Sequence, residues 1–227
     1  MAEQYHVDLE QFSLEKFRRI LETGEVLPSR KILKEKIPER FAILKSMGVR
    51  NLKELIDALS TKKKIEQFAQ ESGLPQDYLE ILKRQTGIYT PKPIALKDIP
   101  GFAPQHIERL AAIGIKQTQQ LFERAKSKKE RAALAKAANV PNGVLLELVK
   151  MSDLARAGWV GPIFARLFYE AGADTLEKLV KCSPQALYEK LIAVNKAQKL
   201  TQGHFTAKDV ALCIEISKEL AKVIEYE

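Results

Sequence analysis

The residues in this 227-residue sequence best placed to do chemistry by type and spacing are lysines. Ser60–Lys64 reads STKKK and Ala125–Arg131 reads AKSKKER, and Lys62 and Lys63 stand 66 residues before Lys128 and Lys129. Clustered ammonium and guanidinium groups attract polyanions, and the contacts they make to phosphates position a protein on nucleic acid without reading its bases. Lys62, Lys63, Lys128, Lys129 and Arg131 are therefore candidate charge-supplying residues. Either cluster alone fits a solvated interhelix loop, since lysine is common at helix ends; the recurrence is what singles them out. A net charge of +8, from 37 Lys and Arg against 29 Asp and Glu, suits a polyanionic partner through long-range attraction.

Other chemistries find less material. His6, His106 and His204 are far apart and form no ligand motif, and Cys182 and Cys213 lack CxxC spacing and fit a reduced, cytoplasmic interior. Asp153, Glu170 and Asp174 are scattered, and the sequence contains no HExxH, Walker-type loop or GxSxG. No catalytic residue, metal site or cofactor is expected, and the protein does not read as an enzyme. The first ten residues, MAEQYHVDLE, lack the apolar region of a secretory signal. No apolar run approaches the roughly 18 residues that span a bilayer. The expected location is the cytoplasm, with no membrane partner.

The elements that would carry these residues follow from an internal repeat. Pro38, Gly48 and Leu55 recur as Pro104, Gly114 and Leu121, and again as Pro162, Gly172 and Leu179. Each copy reads proline, nine residues, glycine, six residues, leucine. Proline opens a helix without losing a hydrogen bond, and glycine closes it at a left-handed position. Apolar residues fall at helical spacing between them, as in Ile107, Leu110 and Ala111 or Ile163, Leu167 and Phe168. Ser13 and Thr175 are suited to cap helices, Gly24 to stop the first one, and the segment from about Thr206 to the C-terminus reads as one amphipathic helix. Sustained period-2 alternation is absent.

The second and third copies open on glycine-bearing turns, IPGFAP (Ile99–Pro104) and AGWVGP (Ala157–Pro162). These resemble the hairpin of helix-hairpin-helix proteins, and Leu110–Ile115 is similar to the second half of that motif. SDLARAGWVGPIFARLFYEAGADTLEKL, SPQALYEKLIAVN and LPSRKILKEKIPERF together resemble the bacterial domain-of-unknown-function family 4332 over nearly the full length. The helix-hairpin-helix likeness implies that backbone N–H groups of the turn and the following helix N-terminus face a phosphate. Carried onto this sequence, the contacts would be Gly101, Phe102 and Ala103 in the second turn and Gly158, Trp159 and Gly161 in the third, with Arg156 and Arg166 supplying charge. The match is partial: Ala103 stands where a second glycine belongs, and no cation directly follows either turn. The first copy, LKEKIP, has no glycine and should not form the turn. Trp159, the single tryptophan, fits either a plug between repeats or an exposed aromatic that docks a protein or stacks on a base.

The expected fold is all-α, with three tandem helix-hairpin-helix-like repeats and helical extensions at both ends. The divisions are 1–29 for the N-terminal extension, 30–90 for the degenerate first repeat, 91–151 for the second, and 152–227 for the third with the C-terminal helix. The expected function is non-catalytic binding of DNA or RNA through its phosphates without sequence preference. The alternative is a protein-interaction scaffold in which the hairpins are structural.

Overall fold

The computed structural model describes residues 5–226. The first four residues of the expected N-terminal extension, and Glu227, lie outside the described residues. The chain is all-α: among the described residues there are no strands, only two isolated bridges, Ser13–Asn51 and Ala95–Gln117. It divides into two compact units, residues 6–90 and residues 91–226 together with Tyr5.

The unit of residues 6–90 holds α1 (Leu14–Thr23), α2 (Ile37–Ser46), α3 (Leu52–Ala58), α4 (Lys62–Ser72) and α5 (Gln76–Thr86), with a 3-10 turn at Pro28–Lys34. Ser13 caps α1 by accepting from the Lys16 amide at 3.1 Å, and Gly24 closes it. Phe17 is the centre of its core. The ring is fully buried, 6.0 Å from Phe41 and edge-on to Tyr89 at 5.9 Å, and Phe12 also packs on Tyr89 at 5.1 Å.

The second unit holds α6 (Pro104–Ala112), α7 (Thr118–Arg124), α8 (Lys128–Ala138), α9 (Asn142–Leu154), α10 (Pro162–Glu170), α11 (Leu176–Leu179), α12 (Pro184–Gln198) and α13 (Ala207–Lys218). α9 packs on both α7 and α10, and α12 on α13. Leu121, Leu145, Leu148, Leu154, Leu167, Phe168 and Leu179 are buried there.

The helix starts keep the spacing of the sequence. α3, α4 and α5 begin 66 residues before α7, α8 and α9, and α6 and α7 begin 58 residues before α10 and α11. Gly48, Gly114 and Gly172 turn the chain at φ 86°, 85° and 83°, values at which any other residue would carry strain. Thr175 caps α11 by accepting from the Lys178 amide at 3.2 Å.

One element differs from the expectation. The helix from Thr206 runs only to Lys218, and residues 219–226 leave it. Leu220 and Ile224 are nevertheless buried. Helical periodicity and buried side chains therefore both persist while the backbone departs, because the segment's carbonyls at Ala221 and Glu225 are taken by arginines of the same unit.

Candidate nucleic-acid interface

α4 and α8 open alike. The Thr61 hydroxyl accepts from the Lys64 amide at 3.2 Å, and the Ser127 hydroxyl from the Glu130 amide at 3.2 Å. In α8 the Glu130 carboxylate returns a bond to the Ser127 N–H at 2.7 Å, completing a capping box. That bond, with a second from the Ser127 hydroxyl, holds the Glu130 carboxyl below the usual glutamate range. These caps serve the third position of each helix. The two amides before it, Lys62 and Lys63 or Lys128 and Lys129, have no acceptor within the helix.

The four lysine side chains at these ends are exposed. Lys62 approaches Glu66 only at 3.8 Å, with 82% of its side chain exposed, a geometry worth little. Lys63, Lys128 and Lys129 form no ion pair among the described residues. A cation in a first turn meets the positive end of the helix dipole, at a cost of a few tenths to about 1 kcal/mol. Lysines favoured by the dipole would sit at the other end, so helix stability does not account for these.

The arginines assigned to phosphate are all engaged by acceptors of the protein itself, which corrects the expectation for Arg156 and Arg166. Arg131 is 7% exposed; its Nη1 donates to the carbonyls of Ala125 at 3.2 Å and Lys126 at 3.0 Å, and its Nη2 to that of Glu225. Arg156 is fully buried. Its Nε donates to the Tyr5 carbonyl at 3.1 Å, Nη1 to the Asp153 carboxylate and Nη2 to the Ala221 carbonyl at 2.9 Å, while the guanidinium lies 4.3 Å from the Phe122 ring centre. Arg166 is 6% exposed, donating from Nε to the Pro100 carbonyl at 2.9 Å and from Nη1 to Glu147 and to Glu170 at 3.0 Å. Their nonlocal acceptors explain the burial. A guanidinium stays charged in a core when carboxylates and carbonyls surround it.

The turns themselves differ from one another. In the second, Gly101 adopts φ 93° and, like Ala103, is exposed. Phe102 is half-buried, with the Arg166 guanidinium 4.9 Å over its ring. In the third, the left-handed residue is Trp159 at φ 74°, 58 residues after Gly101, and neither Gly158 nor Gly161 takes that role. Gly158 is buried, its carbonyl facing the Cys213 thiol at 3.5 Å. The N–H groups of Val160 and Gly161 donate back to Ala157 at 3.2 Å and Trp159 at 3.1 Å. They are spent within the turn, which corrects the expectation that Gly161 offers its N–H to a phosphate. Trp159 is 44% exposed, so it is not a plug.

No local sequence signal marks the polar cluster beneath the C-terminal segment. The Tyr226 hydroxyl donates to Asp153 at 2.7 Å, and the Tyr5 hydroxyl pairs with that of Thr118 at 2.7 Å. Burial raises the Tyr226 hydroxyl well above its usual range and the Tyr5 hydroxyl to about 12; it also pushes the Asp153 carboxyl up, against the opposing pull of Arg156. Partners 73 and 113 residues apart leave no local spacing to read. An open cleft of about 660 Å³ in the other unit, between α1 and α2, is lined by none of the predicted site residues. Among the described residues no group of three His, Cys, Asp or Glu could hold a metal ion, and no helix is long and apolar enough to cross a membrane.

Among known families, the model described as Domain of unknown function (DUF4332) matches residues 100–220, more than half of the chain and wholly within the second unit. No curated protein and no solved structure matches the chain.

Proposed function

We propose, for a chain that belongs to the DUF4332 family, a non-catalytic role in binding nucleic acid, probed by duplex and single-stranded DNA, through backbone phosphates. The observation that carries the reading is the pair of lysine-tipped helix ends. Lys62 and Lys63 on α4, and Lys128 and Lys129 on α8, are exposed where the helix dipole makes them costly to the fold. Each end joins two mobile cations to two first-turn amides and a positive dipole, a combination that suits a phosphate oxygen. Contacts of this kind carry no base information, so sequence preference is weak. Arg156 and Arg166, buried among carboxylates and carbonyls, serve the fold. On this reading the unit offset marks three tandem copies of a helix-hairpin-helix-like module, one lysine end belonging to each of the first two, in a protein of the cytoplasm.

Fluorescence anisotropy with labelled duplex and single-stranded DNA at several salt concentrations tests it. Affinity falls linearly on a log–log salt plot, and Lys128→Glu with Lys129→Glu makes the slope shallower by about two phosphate contacts. No binding at low salt would sink the reading.

One observation favours a second reading, a protein-interaction scaffold. Trp159 is exposed in a conformation bulky residues resist, and exposed tryptophans are frequent anchors of interfaces. Trp159→Ala would then abolish a co-purifying partner while leaving DNA affinity unchanged.

A further inference from the structure

We propose that residues 219–226 form an intramolecular strap that masks Arg131, and that phosphate binding at the start of α8 displaces it. The inference rests on the nucleic-acid reading above and concerns the regulation of that same site.

The strap is tied at four points. Ala221 and Glu225 offer carbonyls to Arg156 and Arg131, the Glu225 N–H donates to the Lys126 carbonyl at 2.9 Å, and the Tyr226 hydroxyl donates to Asp153 at 2.7 Å. Two of these ties, both at Glu225, fall on Lys126 and Arg131, the residues that flank Ser127–Glu130. The strap therefore crosses the entry to the lysine end of α8.

Arg131 follows Lys128 by three positions, so the two share a helix face. Its Nη2 now holds a neutral carbonyl oxygen. A phosphate oxygen is a stronger acceptor for a guanidinium, because both partners are charged. Exchanging the Glu225 carbonyl for a phosphate would add a third cation to Lys128 and Lys129. The Glu225 side chain itself is exposed, so the ties at this residue are made by its backbone. Arg156 is different: it lies under Phe122 and Tyr5 as well as the strap, and stays in the core when the segment moves.

Two variants of the full chain loosen the strap without touching α8. Tyr226→Phe removes the hydroxyl bonded to Asp153, and Glu225→Pro removes the N–H bonded to Lys126. Circular dichroism confirms the helical fold of each, and either one alone suffices for the test. In duplex-DNA anisotropy the expected result is a several-fold gain in affinity near 0.1 M salt, with the log–log slope steeper by about 0.9, the signature of one additional phosphate contact. The gain is lost when Arg131→Gln is added. Wild-type binding with no gain in the variants, or a gain that survives Arg131→Gln, overturns the strap. Absence of binding by wild type and variants alike overturns the nucleic-acid reading and the strap with it.

Discussion

The guanidinium of Arg166 lies on Gly101 where a side chain would otherwise be. A Cβ built on Gly101 would stand 2.7 Å from the Arg166 Cζ, closer than atoms pack. The guanidinium has little freedom to retreat, since it is bonded to the Pro100 carbonyl, Glu147 and Glu170 and stacked on Phe102. The glycine that outlines a phosphate clamp thus admits the protein's own cation, arriving from α10.

Gly101→Ala should for that reason cost stability. A left-handed alanine loses about 1–2 kcal/mol, and a displaced guanidinium, itself buried, gives up its hydrogen bonds at about 1–3 kcal/mol. The expected loss is about 2–5 kcal/mol in urea unfolding, with duplex affinity of the folded protein unchanged. Unchanged stability with lost affinity would mark Gly101 as a phosphate contact instead.

Trp159 occupies in the third turn the slot that Gly101 holds in the second, at φ 74° against 93°. Replacing the ring by glycine or by alanine removes the same contacts, so comparing the two variants isolates the backbone. At most positions alanine is the more stable by reducing the freedom of the unfolded chain. Here Trp159→Gly should exceed Trp159→Ala by about 1 kcal/mol, read as a higher urea midpoint at equal slope. The reverse order would mean that the turn relaxes out of the left-handed region once the ring is gone.

The helices were legible because their signals are local. Pro104 and Pro162 open α6 and α10, Ser13 and Thr175 cap α1 and α11, and Gly48, Gly114 and Gly172 take the left-handed position, each within a few residues of what it controls. The lysine ends were legible for the same reason. The arginines were not. Arg166 finds its carbonyl 66 residues away, Arg131 94 and Arg156 151, and nothing in the spacing separates a solvated arginine from one that pins two segments together. One sequence signal could have corrected the third turn. Continuing the 58-residue offset from Pro104–Pro162 backwards sets Trp159 opposite Gly101, which points to the tryptophan as the left-handed residue.

The start of α8 should respond to acid. Hydrogen bonds from Ser127 hold the Glu130 carboxyl below its ordinary value of 4.5. A folded-state value lower than the unfolded one means that the carboxylate stabilises the capping box above about pH 4.5, and that this contribution is lost as pH falls through the depressed value. Protonation removes an acceptor from the Ser127 N–H and a negative charge from beside Lys128 and Lys129. Acidification should then fray the first turn of α8, visible as movement of the Ser127 and Glu130 amide resonances in an NMR titration from about pH 6 to about pH 3. Glu130→Gln separates cap from charge: its side-chain oxygen still accepts from Ser127, so these resonances should hold still over the same range. The same variant should bind duplex DNA more tightly than wild type at neutral pH and low salt, with the advantage shrinking as salt screens the lost charge. A Glu130→Gln chain whose Ser127 amide still titrates would show that another carboxylate governs this helix end.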